Sequence, residues 1–254
     1  MTDVLLTEWG AHDLLTLTLN RPERRNALDP ELLAALAESL AADGERARVV
    51  ILRGAGTEAF SAGYDLSRLT GTPADLEADR FIGEAVNALR QCPAPVIARL
   101  QGHCHGAGVE LALNCDLRIT SPTLRMSVPA ISLGVVYRYQ FVARLVQTCG
   151  IARTSDLLLA MHELDAERAY LWGLVTEVAD DIEVRVEAAA QRLATSPREA
   201  VQGTKASLNL LERRAIAGED LLQAQQLRAA AAASPERKEA VKRRQQSMSR
   251  RTKQ

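Results

Sequence analysis

The residue types best suited to chemistry lie in one stretch, HGAGVELALNCD, which spans residues 105–116. Gly106, Ala107 and Gly108 predict a tight turn that leads into an almost wholly apolar helix, with Glu110 in its first turn. The free N–H groups at a helix start are anion donors, and small side chains let a ligand oxygen approach them. A helix that is apolar on every side is buried, so we expect burial to raise the pKa of Glu110. Anion donors beside such a carboxylate predict a site that stabilises an oxyanion and moves a proton.

A simpler interpretation is that Glu110 only complements the helix dipole and that the glycines only form a turn. The predicted strands and helices around residues 105–116 help to distinguish the catalytic interpretation from the structural one. Alternating or β-branched runs predict strands at 14–19, 48–54, 96–100, 117–120 and near 125–128. Helices are predicted at 31–42, after the N-cap Asp29, and at 76–91, and the chain is mainly helical beyond residue 140, with final helices at 200–217, 221–233 and 235–249.

Strands that alternate with helices predict an α/β fold with a largely parallel, covered sheet. Small-residue turns follow the strands at 48–54 and 96–100, which predicts two loops at the sheet edge where such folds bind ligands. A boundary near Ser196 and Pro197 divides the chain into a core, residues 1–195, and a helical segment, residues 196–254.

Composition excludes several classes of protein. With 254 residues, 47% hydrophobic and 25% charged, the chain has the composition of a soluble globular protein. The net charge of −1 creates no field that attracts nucleic acid or membranes, and the short basic tail lacks interleaved aromatic residues. The four cysteines form no CxxC pair, and the sequence contains no apolar run near 18 residues. The first residues lack a basic region followed by a long apolar run, so we expect no signal peptide. We therefore expect a cytoplasmic protein with no nucleic-acid or membrane partner.

Several motifs occur together and in order: LNRP at 19–22 with Asn-Ala-Leu at 26–28, FSAGYDL at 60–66, the stretch 102–116, DAERA at 165–169 and WGLV at 172–175. In this order the chain resembles the crotonase (enoyl-CoA hydratase/isomerase) superfamily over about residues 5–250. The resemblance implies a crotonase-like (ClpP/crotonase) spiral of ββα units, whose helical C-terminal region serves trimerisation and covers the site. It also implies a homotrimer or dimer of trimers and an acyl-CoA substrate. No cofactor would be bound permanently, since coenzyme A is part of the substrate.

The resemblance also implies roles for individual residues. Backbone N–H groups of Ala62 and Ala107 would form an oxyanion hole for the thioester carbonyl, and Glu110 would be the acid/base. Arg24 and Arg25 would meet the phosphates of coenzyme A. In the last helix, Lys242, Arg243 and Arg244 lie where relatives place a basic residue near the adenine end of coenzyme A, often across a subunit boundary. The remaining predicted substrate or coenzyme A contacts are Ala27, Ser61, Tyr64, Asp65, Leu66, Gly106, Pro129 and Leu133.

The chain departs from the hydratase pattern at one position. Hydratases of the superfamily hold a water between two glutamates, and the second follows a proline, where this chain has Pro129-Ala130. Alanine cannot exchange a proton, so we expect poor hydration. Double-bond isomerases of the superfamily commonly also use a carboxylate near this position, and residues 121–149 contain none. The loop LGVVY at 133–137 resembles that of methylmalonyl-CoA decarboxylases, which makes Tyr137 a second catalytic candidate and decarboxylation an alternative reaction.

Two further alternatives remain open at this stage. One is a protein that binds coenzyme A esters without turnover, which the missing glutamate suggests. The other is a metal centre at His103 and His105, but no further ligand lies at ligand spacing in the sequence. We therefore predict no metal, and expect His105 to line the pocket or to pack.

Overall fold

The computed structural model describes residues 3–214 and 219–251. Its strands are β1 (Leu5–Trp9), β2 (Leu14–Leu19), β3 (Val49–Gly54), β4 (Ala59–Ser61), β5 (Val96–Leu100), β6 (His103–His105), β7 (Leu117–Thr120), β8 (Arg125–Ser127), β9 (Leu164–Asp165) and β10 (Glu177–Val178). Its helices are α1 (Pro30–Asp43), α2 (Ala78–Gln91), α3 (Ala107–Leu113), α4 (Tyr139–Leu159), α5 (Ala166–Leu171), α6 (Ile182–Thr195), α7 (Arg198–Arg214), α8 (Glu219–Ala233) and α9 (Pro235–Arg251).

The larger sheet has six strands in the order β1-β2-β3-β5-β7-β10. Only β1 runs antiparallel to its neighbour, and the other pairs are parallel. Strands β3 and β5 are almost fully apolar and buried, as expected for parallel strands that are covered on both faces. The predicted parallel sheet is therefore confirmed.

A second sheet, in the order β4-β6-β8-β9, was not predicted from the sequence. Each of β3, β5 and β7 is followed within a few residues by a strand of this smaller sheet and then by a helix. The repeated unit is a ββα turn, so the predicted spiral is confirmed. Strands β4 and β6 have three residues each, which is too short for a periodic signal, and the sequence alone suggested only turns there.

The core occupies both faces of the larger sheet. On one face, leucines of β2 and α1 pack with α2, α3 and the smaller sheet in one continuous apolar cluster. On the other face, Val49, Ile51 and Ile97 pack against Val186 and Ala190 of α6. This division follows from the period of two in a strand, which sends alternate side chains to opposite faces.

The C-terminal helices fold back over the core of their own chain. The Lys205 ammonium group of α7 is buried, donates to the carbonyl oxygens of Leu89 (3.1 Å) and Ala94 (2.9 Å), and lies 2.8 Å from the Asp116 carboxylate. The predicted end of α7 at 215–217 lies outside the described residues, as does the end of the basic tail at 252–254. Among the described helices, none has the length and apolar character that crossing a membrane would require.

Candidate active site

A cavity of about 370 Å³ opens beside the start of α3. The turns after β4 and β6, a single helical turn at Ala130–Leu133, and helices α8 and α9 form its walls. Ten of the predicted site residues line it: Ala62, Tyr64, Leu66, Gly106, Ala107, Glu110, Pro129, Leu133, Tyr137 and Arg244. Residues from widely separated parts of the chain thus meet at one cavity.

Two glycines bring the turns after β4 and β6 into contact. Gly63 and Gly106 have φ angles of +88° and +54°, which other residues rarely adopt. A β-carbon on Gly63 would lie 2.7 Å from the His105 carbonyl oxygen and 3.5 Å from the Ala107 nitrogen. No side chain larger than hydrogen fits at position 63. The two turns can therefore lie this close together only because that residue is glycine.

The structure revises one of the two predicted oxyanion donors. The N–H of Ala62 donates to the carbonyl oxygen of Arg25 at 2.9 Å, so it is not free to bind a substrate. Tyr64 forms a parallel bridge to Leu28, in which the Leu28 N–H donates to Gly63 and the Asp65 N–H donates to Leu28, both at 2.8 Å. The N–H of Tyr64 itself then points away from Leu28.

Tyr64 and Ala107 accordingly offer backbone donors at the cavity. Within the described part of the chain, neither N–H has an acceptor in the protein. Ala107 is the first residue of α3, where an N–H has no partner inside the helix. The prediction that Ala107 presents a free donor therefore agrees with the geometry, whereas the prediction for Ala62 does not.

Three further predicted contacts lie behind the cavity wall instead of in it. The buried Ser61 hydroxyl donates to the Asn26 carbonyl oxygen at 2.8 Å and accepts from the Gly63 N–H at 3.2 Å. Asp65 is also buried; its carboxylate accepts from the Ser67 hydroxyl and from the Arg21 guanidinium, and although burial opposes the effect, these bonds lower its pKa. The third is Ala27, whose carbonyl oxygen accepts from Arg21. These residues hold the turn in place and do not face the substrate space.

Glu110 is buried, with 2% of its surface exposed, yet it reaches the cavity. Burial raises the pKa of its carboxyl group, and the guanidinium of Arg138 opposes that rise. Arg138 contacts Oε1 of Glu110 but does not line the cavity, so it holds the carboxylate from behind. Sequence reasoning missed this partner, although an arginine beside Tyr137 in an apolar loop was a usable signal.

Ala130 and Tyr137 complete the wall near Glu110. Ala130 lines the cavity at the start of the turn after Pro129, and its methyl group offers no proton-transfer group there. The Tyr137 hydroxyl lies 3.0 Å from the position that a β-carbon on Gly106 would take, and the ring packs on Phe141. Burial raises the pKa of the Tyr137 hydroxyl, so it stays protonated at neutral pH.

Of the predicted cations in the described part of the chain, Arg24, Arg25, Lys242 and Arg243 lie outside the cavity lining. Arg244 lines it from the same chain. Arg24 and Arg25 are exposed in the loop after β2, and Arg25 pairs with Glu58 at 3.1 Å. His105 lines the cavity as expected; burial, the neighbouring His103 and the positive charges of Arg25 and Arg244 lower its pKa to about 4. Contact of Arg24 and Arg25 with phosphates remains a prediction.

Comparison with known proteins places this geometry in a family. A family model described as enoyl-CoA hydratase/isomerase matches residues 11–249. The chain belongs to the enoyl-CoA hydratase/isomerase family. The 1,2-epoxyphenylacetyl-CoA isomerase of Escherichia coli (strain K12) is 34% identical over 209 residues, which are 78% of this chain and 79% of that protein. A probable enoyl-CoA hydratase of Mycobacterium tuberculosis is 36% identical over 201 residues, 78% of this chain and 80% of that one.

Solved structures agree with the family assignment. A crystal structure of an enoyl-CoA hydratase/carnithine racemase from Magnetospirillum magneticum superposes with a TM-score of 0.79 at 34% identity, over 88% of this chain and 86% of that one. The crotonase fold and an acyl-CoA enzyme of this family, both expected from the sequence, are therefore confirmed.

In this enoyl-CoA hydratase/isomerase family member, two ion pairs attach the C-terminal helices to the cavity wall. Arg228 of α8 pairs with Asp79 of α2 and donates to the Val136 carbonyl oxygen at 2.9 Å. Arg237 of α9 contacts Asp75 at 2.8 Å, and both side chains are only 4% exposed. Sequence reasoning missed both pairs, because their members are about 150 residues apart in the chain.

The pair of Asp75 and Arg237 predicts an acid-sensitive contribution to stability. Burial raises the pKa of Asp75, but hydrogen bonds from Thr70, Arg237 and Gly71 outweigh it and lower the pKa below its ordinary value. The stabilisation is therefore present above the unfolded pKa of about 4 and is lost as the pH falls through the folded pKa. At neutral pH we expect Asp75→Asn to reduce the free energy of unfolding by about 3 kcal/mol.

Urea unfolding at a series of pH values measures this effect. The difference between the wild type and Asp75→Asn should shrink as the pH falls below about 4. Exposed Asp180 provides the control, and Asp180→Asn should leave stability nearly unchanged. A difference that is equal at every pH would contradict the assignment.

Proposed function

We propose that the protein moves a proton within an acyl-CoA thioester, as a double-bond isomerase, with Glu110 as the single acid/base group. The observation that carries the proposal is the pairing of Glu110 with Ala130 at the cavity. Glu110 reaches the cavity, whereas Ala130, where hydratases of the superfamily carry their second glutamate, offers only a methyl group. One carboxylate suffices to move a proton between two carbon atoms of the substrate. It does not suffice for hydration, in which two glutamates hold the reacting water between them.

The thioester oxygen is held, in this proposal, by the N–H groups of Tyr64 and Ala107. The close contact of Gly63 with the His105 carbonyl group supports this, because it brings the two turns to one place on the wall. Backbone donors that are fixed before the reaction stabilise a developing oxyanion without reorganisation. They act next to Glu110, since Ala107 and Glu110 lie one helical turn apart on α3.

The reaction follows from these parts. Oε2 of Glu110 removes a proton from the α-carbon of a β,γ-unsaturated thioester, and the electron pair spreads to the thioester oxygen as a dienolate. Glu110 then returns the proton to the γ-carbon, which yields the conjugated α,β-unsaturated thioester. The raised pKa of Glu110 suits both steps, because an acid/base works best when its pKa lies near the working pH. The Escherichia coli relative is named a 1,2-epoxyphenylacetyl-CoA isomerase, which supports isomerisation of an acyl-CoA as the reaction class.

The first prediction concerns exchange of the α-proton with solvent. In deuterated water we expect wild-type protein to label the α-carbon of an acyl-CoA, and Glu110→Gln to lower that rate by 10²–10⁴-fold, as for loss of a general base. Mass spectrometry of the thioester measures it. Glu31 is a matched control because it also lies in the first turn of a helix but is exposed. If Glu110 only complemented the helix dipole, the rate of α-proton exchange would be the same in Glu110→Gln as in Glu31→Gln, and that result would contradict the proposal.

The second prediction removes one backbone donor. Ala107→Pro deletes the N–H at the first position of α3, where proline is well tolerated. We expect turnover to fall by about 10²–10³-fold, as for loss of one oxyanion donor. Ala107→Gly keeps the N–H and should retain most activity. Equal turnover by folded Ala107→Pro and Ala107→Gly, with circular dichroism as the check on folding, would refute the role of this amide.

Decarboxylation is the second candidate, and the position of Tyr137 favours it. Its protonated hydroxyl lies at the turn that carries Ala107, where it could orient a carboxylate on the α-carbon. The bond between that carbon and the carboxylate would break, carbon dioxide would leave, and the electron pair would stay as the thioester enolate until a proton reaches carbon. Methylmalonyl-CoA tests this: we expect carbon dioxide release that Tyr137→Phe slows by at least tenfold. If the wild type releases no carbon dioxide, decarboxylation is rejected and isomerisation remains the only proposed reaction.

Binding without turnover is the remaining alternative, and the exchange experiment separates it. A protein that only binds coenzyme A esters would bind them in calorimetry but would not label their α-carbon. The predicted homotrimer or dimer of trimers is likewise a proposal. Exposed apolar side chains on α4 and α5, among them Ile151, Leu159 and Leu171, support such an association.

A further inference from the structure

Two histidines and a glutamate converge at the cavity wall, and none of them is a group that the proposed reaction uses. They are His103, His105 and Glu163, and one ligand atom from each lies within 4.8 Å of the others. We propose that they form a binding site for one divalent transition-metal ion of the zinc class. The proposal does not depend on the acyl-CoA reaction.

Sheet register explains why these three side chains share a face. His103 and His105 are two residues apart in β6, so they point to the same side, while Cys104 between them is buried on the other. His105 lies opposite Ser127 of β8 in the parallel register. The antiparallel register of β8 with β9 pairs Met126 with Leu164, and one step further along it brings Glu163 opposite Ser127.

The distances fit a shared ion. The His105 Nε2 and His103 Nδ1 atoms are 3.1 Å apart. Two imidazole nitrogens on one tetrahedral zinc ion, each about 2.0–2.1 Å from the metal, would be about 3.3 Å apart. The two ring nitrogens therefore need to separate by only a few tenths of an ångström, and the Glu163 carboxylate, which lies within 4.8 Å of them, would move toward the ion.

Ser127 gives the arrangement a support that a simple surface cluster lacks. Its hydroxyl contacts Nδ1 of His105 at 2.8 Å. A hydrogen bond to the second ring nitrogen fixes the orientation of a metal-binding histidine. The other nitrogen, Nε2, is hydrogen-bonded to His103, and metal binding would replace that hydrogen bond. His103 and His105 are half-buried, whereas Glu163 is exposed, so an ion can enter from solvent.

The chemistry of the donors selects the class of metal. Two imidazoles and one carboxylate suit zinc, cobalt or nickel, whereas magnesium and calcium prefer oxygen ligands only. Three protein ligands leave a fourth position for water, as in open zinc sites. The positive charges of Arg25 and Arg244 near His105 oppose a cation, as does Arg125, whose Nε lies 4.0 Å from Glu163, so binding must displace Arg125 from Glu163.

Calorimetry and cobalt absorption test the proposal on the full chain without substrate. We expect one Zn²⁺ per chain, and Co²⁺ should give the strong visible bands of a four-coordinate site. No thiolate bands should appear, because all four cysteines are buried. At Zn²⁺ about tenfold above its dissociation constant, the Tm should rise by about 3 °C.

Variants locate the ion. His103→Asn should weaken Zn²⁺ binding by at least 100-fold, and Glu163→Gln by at least tenfold. His162→Asn is the matched control, because His162 is next to Glu163 in sequence but pairs with Asp156, and it should bind as the wild type does. Absence of stoichiometric binding by the wild type, or equal binding by His103→Asn, would overturn the proposal. Failure of the acyl-CoA assays would not affect this outcome, since no substrate is present.

Discussion

The active-site geometry depends on a backbone contact between two turns that are more than 40 residues apart. Gly63 lies against the carbonyl group of His105 so closely that a β-carbon would overlap it. This contact brings the turns that carry Tyr64 and Ala107 to the wall of one cavity. The contact is steric, so it tolerates no larger side chain at Gly63, and the positive φ at both Gly63 and Gly106 adds a second reason for glycine.

The surrounding fold serves this contact by stacking two sheets. The turn that carries Tyr64 follows β4, and the turn that carries Ala107 follows β6, and these strands are neighbours in the smaller sheet. Their parallel pairing places both turns at the same end. Buried hydrogen bonds of Ser61 and Asp65 then hold the turn that carries Tyr64 in position. The sequence predicted that these two residues contact the substrate, but they support this turn instead.

Charge is arranged around the cavity by elements from both ends of the chain. Arg138 contacts Glu110 from outside the cavity, while Arg228 and Arg237 attach α8 and α9 to acidic residues of the opposite wall. Such buried pairs cost desolvation energy, so their value lies in fixing one arrangement more than in adding stability. The C-terminal helices therefore close the cavity of their own chain with oriented side chains.

The sequence by itself determined the local features: the strands at β2, β5 and β7, the cap at Asp29, the buried α3 with Glu110, and the family that its motifs resemble. These depend on neighbours in the chain, through periodicity and turn chemistry. Only the tertiary structure decided which amides are free, because the acceptor for Ala62 is supplied by Arg25. It also decided the partner of Glu110 and the approach of Glu163 to His103 and His105. Those contacts join distant segments, and no local pattern specifies such distances.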